Sequence, residues 1–358
     1  MTTLEAFLEE HPLVEYFRFQ WVDYSGVFHG TVIPKARCLQ VAADKNKIPS
    51  RLDNGLEKCP RNALDKTLRK LELYTQLLVG FEIEFILLDE NNKLPEQLDR
   101  ITGEFVFAGL RGGTMDFLEE VCAALKEAGI EVHTFQSEQG DQLEISLSPL
   151  PPMEAVDATL HALETIRTLA IAHGYKASVS PQPVLNGPKS GMHAHISLNP
   201  LPRQADAFIA GVLDNMKALC AFGLPYEYSY RRCMDGGAGY ENRWEFRFID
   251  GTANLYLVMA ALLAAGLHGM ENATELRWKD CKLWYQKSTP EELKRHGMTE
   301  EMPTTMRRTL NAVERSSMLE SALGKPLLDQ YLRTKHHDLK HFLNISEDEQ
   351  RMLLLRYF

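Results

Sequence analysis

The sequence predicts an α+β protein, with a small β-rich N-terminal domain and a larger domain of antiparallel strands and helices. Two observations support this prediction. Segments that alternate polar and apolar residues are interspersed with segments whose apolar residues recur at helical spacing, and the last third of the chain has helical spacing alone. The 358 residues, 44% of them hydrophobic, are enough for two domains with a large core.

The elements follow one another in a regular order. Residues 14–39 alternate around the turn Asp23-Tyr24-Ser25-Gly26, which predicts a hairpin with a further strand or turn at Val32–Pro34. Helices are predicted at Pro60–Leu77, Thr114–Ala128, Met153–His173, Gln204–Ala221, Asn254–Met270, Thr289–His296, Thr304–Leu319 and Pro326–Leu343. Strands are predicted at Glu82–Leu88, Glu131–Phe135, Gln142–Ser148, Met192–Leu198 and Arg243–Ile249.

Composition and charge argue against several functional classes. The net charge is -10 and no basic stripe is present, so the chain lacks the positive surface that nucleic-acid binding requires. The longest apolar run, Ala253–Leu267, would span about 22 Å as a helix, less than the roughly 30 Å core of a membrane. The six cysteines form no CxxC pair, and the acidic N-terminus is unlike a signal peptide. We therefore expect a cytoplasmic protein.

Four of the predicted strands share one feature: one face is apolar, and the other carries acids, histidines and arginines. Successive side chains of a strand point to opposite faces. The polar faces carry Glu82 and Glu84; Gln142, Glu144 and Ser146; His193, His195 and Ser197; Arg243, Glu245 and Arg247.

This pattern leaves two interpretations open. A sheet with one solvated face gives the same alternation, although such a face usually includes lysine and threonine. Alternatively, a cation lies between the carboxylates, which would otherwise repel one another across neighbouring strands. Glutamate with histidine suits Mg²⁺ or Mn²⁺, and the flanking arginines would then hold anionic substrate groups.

Beyond this pattern, the sequence resembles the glutamine synthetase family, and its fungal glutamine-synthetase-like members most closely. The segments that carry the resemblance are Gly80–Phe85 (Gly-Phe-Glu-Ile-Glu-Phe), Gly191–His195 (Gly-Met-His-Ala-His), Ser229–Arg232, Arg243–Arg247, Ala253–Leu257 and Leu323–Tyr331. The resemblance implies a glutamine synthetase fold, with a shortened β-grasp N-terminal domain (residues 1–75) and a catalytic domain (residues 76–358) built on a curved antiparallel sheet and helices. It also implies a homo-oligomeric ring whose active sites lie between neighbouring subunits.

The resemblance further implies roles for individual residues. Two divalent-cation sites, for Mg²⁺ or Mn²⁺, are implied at Glu84, Glu138 and Glu144 and at Glu82, His193 and Glu245. The implied catalytic residues are Arg232, Arg247 and Arg243, near substrate carboxylate and phosphate groups, and Asp23, contributed by a neighbouring subunit. ATP is the implied nucleotide, and His195, Arg243 and Ser197 are the candidates to bind it. Asp23 also fits a simple turn, and Asp141 is an alternative ligand to Glu138.

Two departures set the chain apart from the family pattern. Only 12 residues separate Arg232 from Glu245. The family's active-site flap and phosphate-binding segment are therefore merged into one segment, Gly236–Arg243, and at least one of the family's arginines is missing. Glu241 is the candidate for the flap glutamate. Pro188-Lys189 replaces an Asn-Gly pair, and Lys189 lies either in the pocket or on a surface loop.

Together these observations predict a metal-dependent enzyme of this family that does not carry out ordinary glutamine synthesis. The first hypothesis is an ATP-dependent ligase that joins a small carboxylate to an amine. The second is a nucleotide-free hydrolysis, decarboxylation or rearrangement with the cation as a Lewis acid. The third, which the intact ligand set disfavours, is a non-catalytic regulatory oligomer.

Overall fold

The computed structural model describes residues 4–43, 56–95, 103–232, 239–240, 243–279 and 288–358. The helices are α1 (Leu4–Glu10), α2 (Lys35–Ala43), α3 (Pro60–Leu71), α4 (Gly113–Glu127), α5 (Pro152–Ala172), α6 (Ala205–Asp214), α7 (Met216–Gly223), α8 (Leu255–Glu271), α9 (Pro290–Arg295), α10 (Met306–Glu314), α11 (Ser317–Leu323), α12 (Lys325–Phe342) and α13 (Glu347–Tyr357). The strands are β1 (Tyr16–Val22), β2 (Phe28–Pro34), β3 (Gln76–Leu88), β4 (Val132–Ser137), β5 (Gln142–Leu147), β6 (Lys176–Ser178), β7 (Met192–Asn199), β8 (Gly239–Tyr240) and β9 (Arg243–Phe246).

An open antiparallel sheet organises the larger part of the chain. Its strand order is β4-β5-β3-β7-β9-β8, and β6 pairs with the end of β3. The four strands with polar faces are therefore direct neighbours, with β3 and β7 at the centre. The register aligns Glu84 with Glu144, Glu82 with His193, and His195 with Glu245. The predicted α+β class with an antiparallel sheet is confirmed.

The opposite face of the sheet is apolar and belongs to the core. Phe81, Ile83 and Phe85 alternate with the acids of β3 and are buried, and α5 packs against this strand. Helix α8 is buried along nearly its whole length and contacts α3, α6, α7 and α11. The apolar run Ala253–Leu267 thus lies almost entirely in a core helix. Among the described residues, no helix is long and apolar enough to cross a membrane.

Helices α6 and α8 approach so closely that their backbones touch, because each carries a glycine at the crossing. A Cβ atom on Gly269 would lie 2.0 Å from the carbonyl oxygen of Ala207. We expect Gly269→Ala to lower the free energy of unfolding by about 1–3 kcal/mol, since the helices would have to separate. Denaturant unfolding measures this loss. Gly113→Ala is the matched control, because a Cβ there meets nothing within 4 Å; equal stability of the two variants would contradict the prediction.

Several predicted boundaries were wrong for local reasons. The helix predicted to Leu77 ends at Leu71, and β3 begins already at Gln76. The helix predicted over Gln204–Ala221 is divided at Asn215 into α6 and α7, and the one predicted over Thr304–Leu319 is divided where Ser316 caps α11. The strand predicted over Arg243–Ile249 ends at Phe246, and helices α1, α2 and α13 and the short strands β6 and β8 were not predicted.

The N-terminal hairpin β1–β2 forms as predicted, but Val32–Pro34 is the end of β2 and not a further strand or turn. The hairpin turn contacts the C-terminal helices. The hydroxyl of Ser25 donates a hydrogen bond to Asp338 Oδ2 (3.0 Å), and Tyr226 donates one to the carbonyl oxygen of Ser25 (2.6 Å). The ammonium group of Lys335 is fully buried, lies 3.0 Å from Asp338 Oδ2 and stacks 4.2 Å from the centre of the Tyr226 ring. The hairpin thus depends on a buried charge in α12.

Candidate active site

The polar faces of β3, β7 and β9 bring two histidines and two glutamates together. Glu82 Oε1 lies 2.7 Å from His195 Nε2, and Glu82 Oε2 lies 3.3 Å from His193 Nδ1. The same His193 nitrogen lies 3.4 Å from Glu245 Oε1. His193 and Glu245 are buried, and the other two are half-buried.

A second group of acids lies on the β4 and β5 side of His193. Glu84 accepts hydrogen bonds from the side chain of Gln142 and the backbone N–H of Gly191, and its Oε1 lies 3.3 Å from His193 Nε2. Glu144 and Glu138 share one donor: Gln136 Nε2 lies 2.7 Å from Glu138 Oε1 and 3.3 Å from Glu144 Oε1. His193 therefore stands between the two carboxylate groups.

Burial and mutual repulsion set the charges of these acids. Burial raises the pKa of Glu144 to about 8, and the neighbouring carboxylates Glu82, Glu138 and Glu84 add to this effect. Burial likewise raises the pKa of Glu138. Burial also acts to raise the pKa of Glu82, but its hydrogen bonds to His193 and His195 prevail and hold that pKa at about 2. The carboxylates on the β4 and β5 side, Glu84, Glu138 and Glu144, thus have too little positive charge around them for all three to be ionised.

The arrangement fits a divalent cation. Among the described residues, Glu82, His195 and Glu245 each offer one ligand atom, and these atoms all lie within 4.8 Å of one another. Carboxylate oxygens are the donors that Mg²⁺ and Mn²⁺ prefer. His195 Nε2 is the ring nitrogen that faces Glu82, whereas His195 Nδ1 is buried and has no hydrogen-bond partner among the described residues. The sequence assigned His193 to this cation; the geometry adds His195.

Two arginines close the β9 side of the site. Arg247 forms an ion pair with Glu245, whose charge raises the pKa of the guanidinium against the lowering effect of burial. Arg232 donates from both terminal nitrogens to the carbonyl oxygen of Arg247 at 3.0 Å, and its Nη2 lies 3.1 Å from His193 Nε2. Arg243 is exposed. It is paired with Ser197 across β7 and β9, two residues along each strand from the pair of His195 and Glu245.

Asp23 is engaged in the hairpin turn. Its Oδ1 accepts from the backbone N–H groups of Ser25 and Val27 at 2.9 Å, and its Oδ2 lies 2.8 Å from His29 Nε2. These contacts are those of the simple turn that the sequence offered as an alternative. Its role at a neighbouring subunit's site stays a prediction.

The remaining sequence candidates occupy loops. Asp141 has a φ of 69° in the turn between β4 and β5, whereas Glu138 is the acid that shares Gln136 with Glu144. Lys189 is exposed and donates to the carbonyl oxygen of Arg231 at 2.7 Å, which favours the surface-loop interpretation. Glu241, and most of the compressed segment Gly236–Arg243, lie outside the described residues.

Gln136 is the site residue that sequence reasoning missed. It lies on β4, which has no acidic residues at alternating positions. The strand therefore does not show the pattern of charged side chains on one face that the other four strands show. Gln136 precedes Glu138 by two residues, and this spacing puts both side chains on one face of the strand. The spacing could have identified Gln136 as a site residue from the sequence.

Gly191 permits the closest contacts in the site. A Cβ there would lie 2.1 Å from Arg232 Nη2 and 2.6 Å from His193 Nε2. We expect Gly191→Ala to weaken Mn²⁺ binding at least about 10-fold, because both side chains must move away from the carboxylates. Calorimetric titration with Mn²⁺ measures this. Gly30→Ala is the control, because its Cβ would make only ordinary contacts; wild-type Mn²⁺ affinity in Gly191→Ala would contradict the prediction.

Comparisons with known proteins complete this description. The family model for the glutamine synthetase catalytic domain matches residues 57–242 and 237–353. Protein fluG of Emericella nidulans is 31% identical over 340 residues, which are 86% of this chain and 39% of that protein. The chain thus spans well under half the length of that relative. A glutamine synthetase of Mycobacterium tuberculosis is 30% identical over 329 residues, which are 79% of this chain and 72% of that enzyme.

Solved structures show the same fold. Apo GmaS has a TM-score of 0.82 at 21% identity and covers 98% of this chain and 99% of its own. A GmaS/ADP complex has a TM-score of 0.84 at 20% identity, covering 99% of this chain and all of its own. At such identities the likeness establishes the fold alone.

Proposed function

We propose, since this chain belongs to the glutamine synthetase family, that it is a divalent-cation-dependent ligase that uses ATP to join a carboxylate to an amine. The observation that carries the proposal is the convergence of acids and histidines from four neighbouring strands, with Arg232 and Arg247 beside them. Such a site offers ligands for cations and guanidinium groups for anionic groups. A solvated sheet face would not bury Glu84, Glu144 and Glu245.

Each group of residues has its own role in the proposed reaction. Glu84, Glu138 and Glu144 would hold one cation, and Glu82, His193 and Glu245 the other, with His195 beside the second. A bound cation would neutralise charge on the transferred phosphoryl group. Arg232 and Arg247 present guanidinium forks suited to carboxylate and phosphate oxygens. His195, Ser197 and Arg243 would contact a bound nucleotide.

A carboxylate oxygen attacks the terminal phosphorus of ATP, and the bond to the leaving ADP oxygen breaks. The nitrogen of the amine then attacks the acyl carbon, the C–N bond forms, and the C–O bond to phosphate breaks. The products are an amide, ADP, phosphate and the proton lost by nitrogen.

The relatives support this proposal without naming the substrate. One structural neighbour is described as a complex with ADP, and several sequence relatives are glutamine synthetases. We extend the proposal to a homo-oligomeric ring in which Asp23 reaches a neighbouring site, and to a division of the chain near residues 75 and 76.

A nucleotide-free reaction is the second candidate. It is favoured by the short stretch of sequence between Arg232 and Glu245, which contains a single arginine, Arg243. Fewer arginines on ATP phosphates would slow phosphoryl transfer.

Calorimetric titration separates the two candidates. Mn²⁺ is added first, and a non-hydrolysable ATP analogue second. Micromolar binding of the analogue supports the ligase, and phosphate release with ATP and a panel of carboxylates and amines should then follow. Bound Mn²⁺ without nucleotide binding favours the second candidate. Failure to bind Mn²⁺ contradicts both.

A further inference from the structure

The carboxylates of Glu138 and Glu144 are joined through the side-chain amide of Gln136. Gln136 Nε2 donates to Glu138 Oε1 at 2.7 Å and to Glu144 Oε1 at 3.3 Å. Ser146 Oγ donates to the same oxygen of Glu144 at 3.0 Å. Glu144 and Ser146 are buried, and Gln136 and Glu138 are half-buried. Donors of the protein therefore occupy Oε1 of both acids.

Glu84, the third acid on this side of the site, follows the same pattern. Its Oε2 accepts hydrogen bonds from the side-chain amide of Gln142 and from the backbone N–H of Gly191. Its Oε1 lies 3.3 Å from His193 Nε2, on the side of the other carboxylate group. The amide and hydroxyl donors around the three acids thus all reach a single oxygen of each acid, and the second oxygen is left to a cation.

The number of oxygens that each carboxylate offers decides which cation the site suits. Ca²⁺ takes about six to eight oxygen ligands and accepts both oxygens of one carboxylate, whereas the smaller Mg²⁺ requires near-octahedral coordination. A carboxylate with one oxygen held by protein donors offers only the other. Three such acids provide too few oxygens for Ca²⁺, but they suit Mg²⁺, which keeps several waters and binds substrate phosphates at its remaining positions.

We propose that Gln136 makes the cation site of Glu84, Glu138 and Glu144 selective for Mg²⁺ over Ca²⁺. Gln136 is a positioning residue, because it contacts two of the proposed ligands and holds one oxygen of each away from the cation. Gln142 and Ser146 assist it at the other two ends of the acid group. This inference rests on the proposed cation-dependent function, since it names the cation that one of its two sites prefers.

Calorimetric titration of the full chain with Mg²⁺ and, separately, with Ca²⁺ tests the proposal. The binding step that Glu84→Ala removes identifies the site. In Gln136→Leu, which lacks the amide, we expect Mg²⁺ affinity at this site to fall about 10-fold, as is typical when a residue that orients metal ligands is lost. Ca²⁺ affinity should not fall, because Glu138 can then offer both oxygens. The ratio of Ca²⁺ to Mg²⁺ affinity should therefore rise at least about 10-fold.

Two further variants complete the test. Gln136→Thr also lacks the bridging amide and has a side chain that suits strands, so it should change the ratio by the same factor. Gln139→Leu is the matched control, because Gln139 Nε2 donates to Glu104 Oε1 (3.1 Å), outside the ligand set, and it should bind both cations as wild type does. All titrations share one pH, because cation binding displaces protons from its ligands and burial raises the pKa of Glu144 to about 8.

An unchanged affinity ratio in both Gln136 variants would overturn the inference, because a residue that only supports its strand would weaken both cations alike. Titration of the same samples with a non-hydrolysable ATP analogue separates this failure from that of the ligase. Binding of the analogue with an unchanged ratio overturns the role of Gln136 alone. A ratio that Gln136 controls, in protein that binds no analogue, supports that role and overturns the ligase. Protein that binds neither Mg²⁺ nor Ca²⁺ overturns both.

Discussion

Glu84→Ala and Glu245→Ala should each remove the part of the Mn²⁺ stabilisation of the fold that its own cation site contributes. Glu84 and Glu245 lie on opposite sides of His193, so each substitution removes a carboxylate from a different proposed cation site. A cation at 100 times its dissociation constant stabilises the native state by about 2.7 kcal/mol. Removing a ligand removes this gain, whereas the unfolding of the metal-free protein should change less, because each variant also relieves repulsion between carboxylates.

Thermal unfolding with and without Mn²⁺ measures this effect. Glu131→Ala is the matched control, because Glu131 is an exposed acid just before β4, and it should keep the full Mn²⁺ shift. A wild-type shift in either site variant would remove that residue from the metal site. Loss of the shift in the control would indicate non-specific binding to surface acids.

Asp338→Ala should lower the free energy of unfolding by about 3–5 kcal/mol, since it leaves a buried ammonium group without its counter-charge. Lys335 is fully buried, and burial lowers its pKa while Asp338 opposes that effect. The same carboxylate accepts the hydrogen bond from Ser25. The variant therefore also releases the hairpin turn from α12.

Denaturant unfolding gives the magnitude, and two further variants test the cause. Asp329→Ala breaks an exposed pair with Lys325 in the same helix and should cost less than about 1 kcal/mol. Lys335→Met combined with Asp338→Leu removes both charges and should restore much of the stability that Asp338→Ala loses. A double variant no more stable than Asp338→Ala would show that the unpaired charge is not the cause.

Much of the site was predictable because strand side chains alternate with a period of two. That rule is local, so the alternation in β3, β5, β7 and β9 identified the polar face residue by residue. The same rule failed for Gln136, whose strand shows no alternating acids. Helix boundaries failed where a cap such as Ser316 or an interruption such as Asn215 divides one apolar stripe into two helices.

The sequence by itself determined the fold class, the family and the polar residues of four strands, because periodicity and motifs are properties of neighbouring positions. Only the tertiary structure decided that these strands are adjacent, that His193 stands between two groups of carboxylates, and that Asp23 caps its own turn. It alone also placed Lys335 in the core. The physical reason is that these contacts join residues far apart in the chain, and strand pairing and helix packing, which bring them together, leave no local pattern.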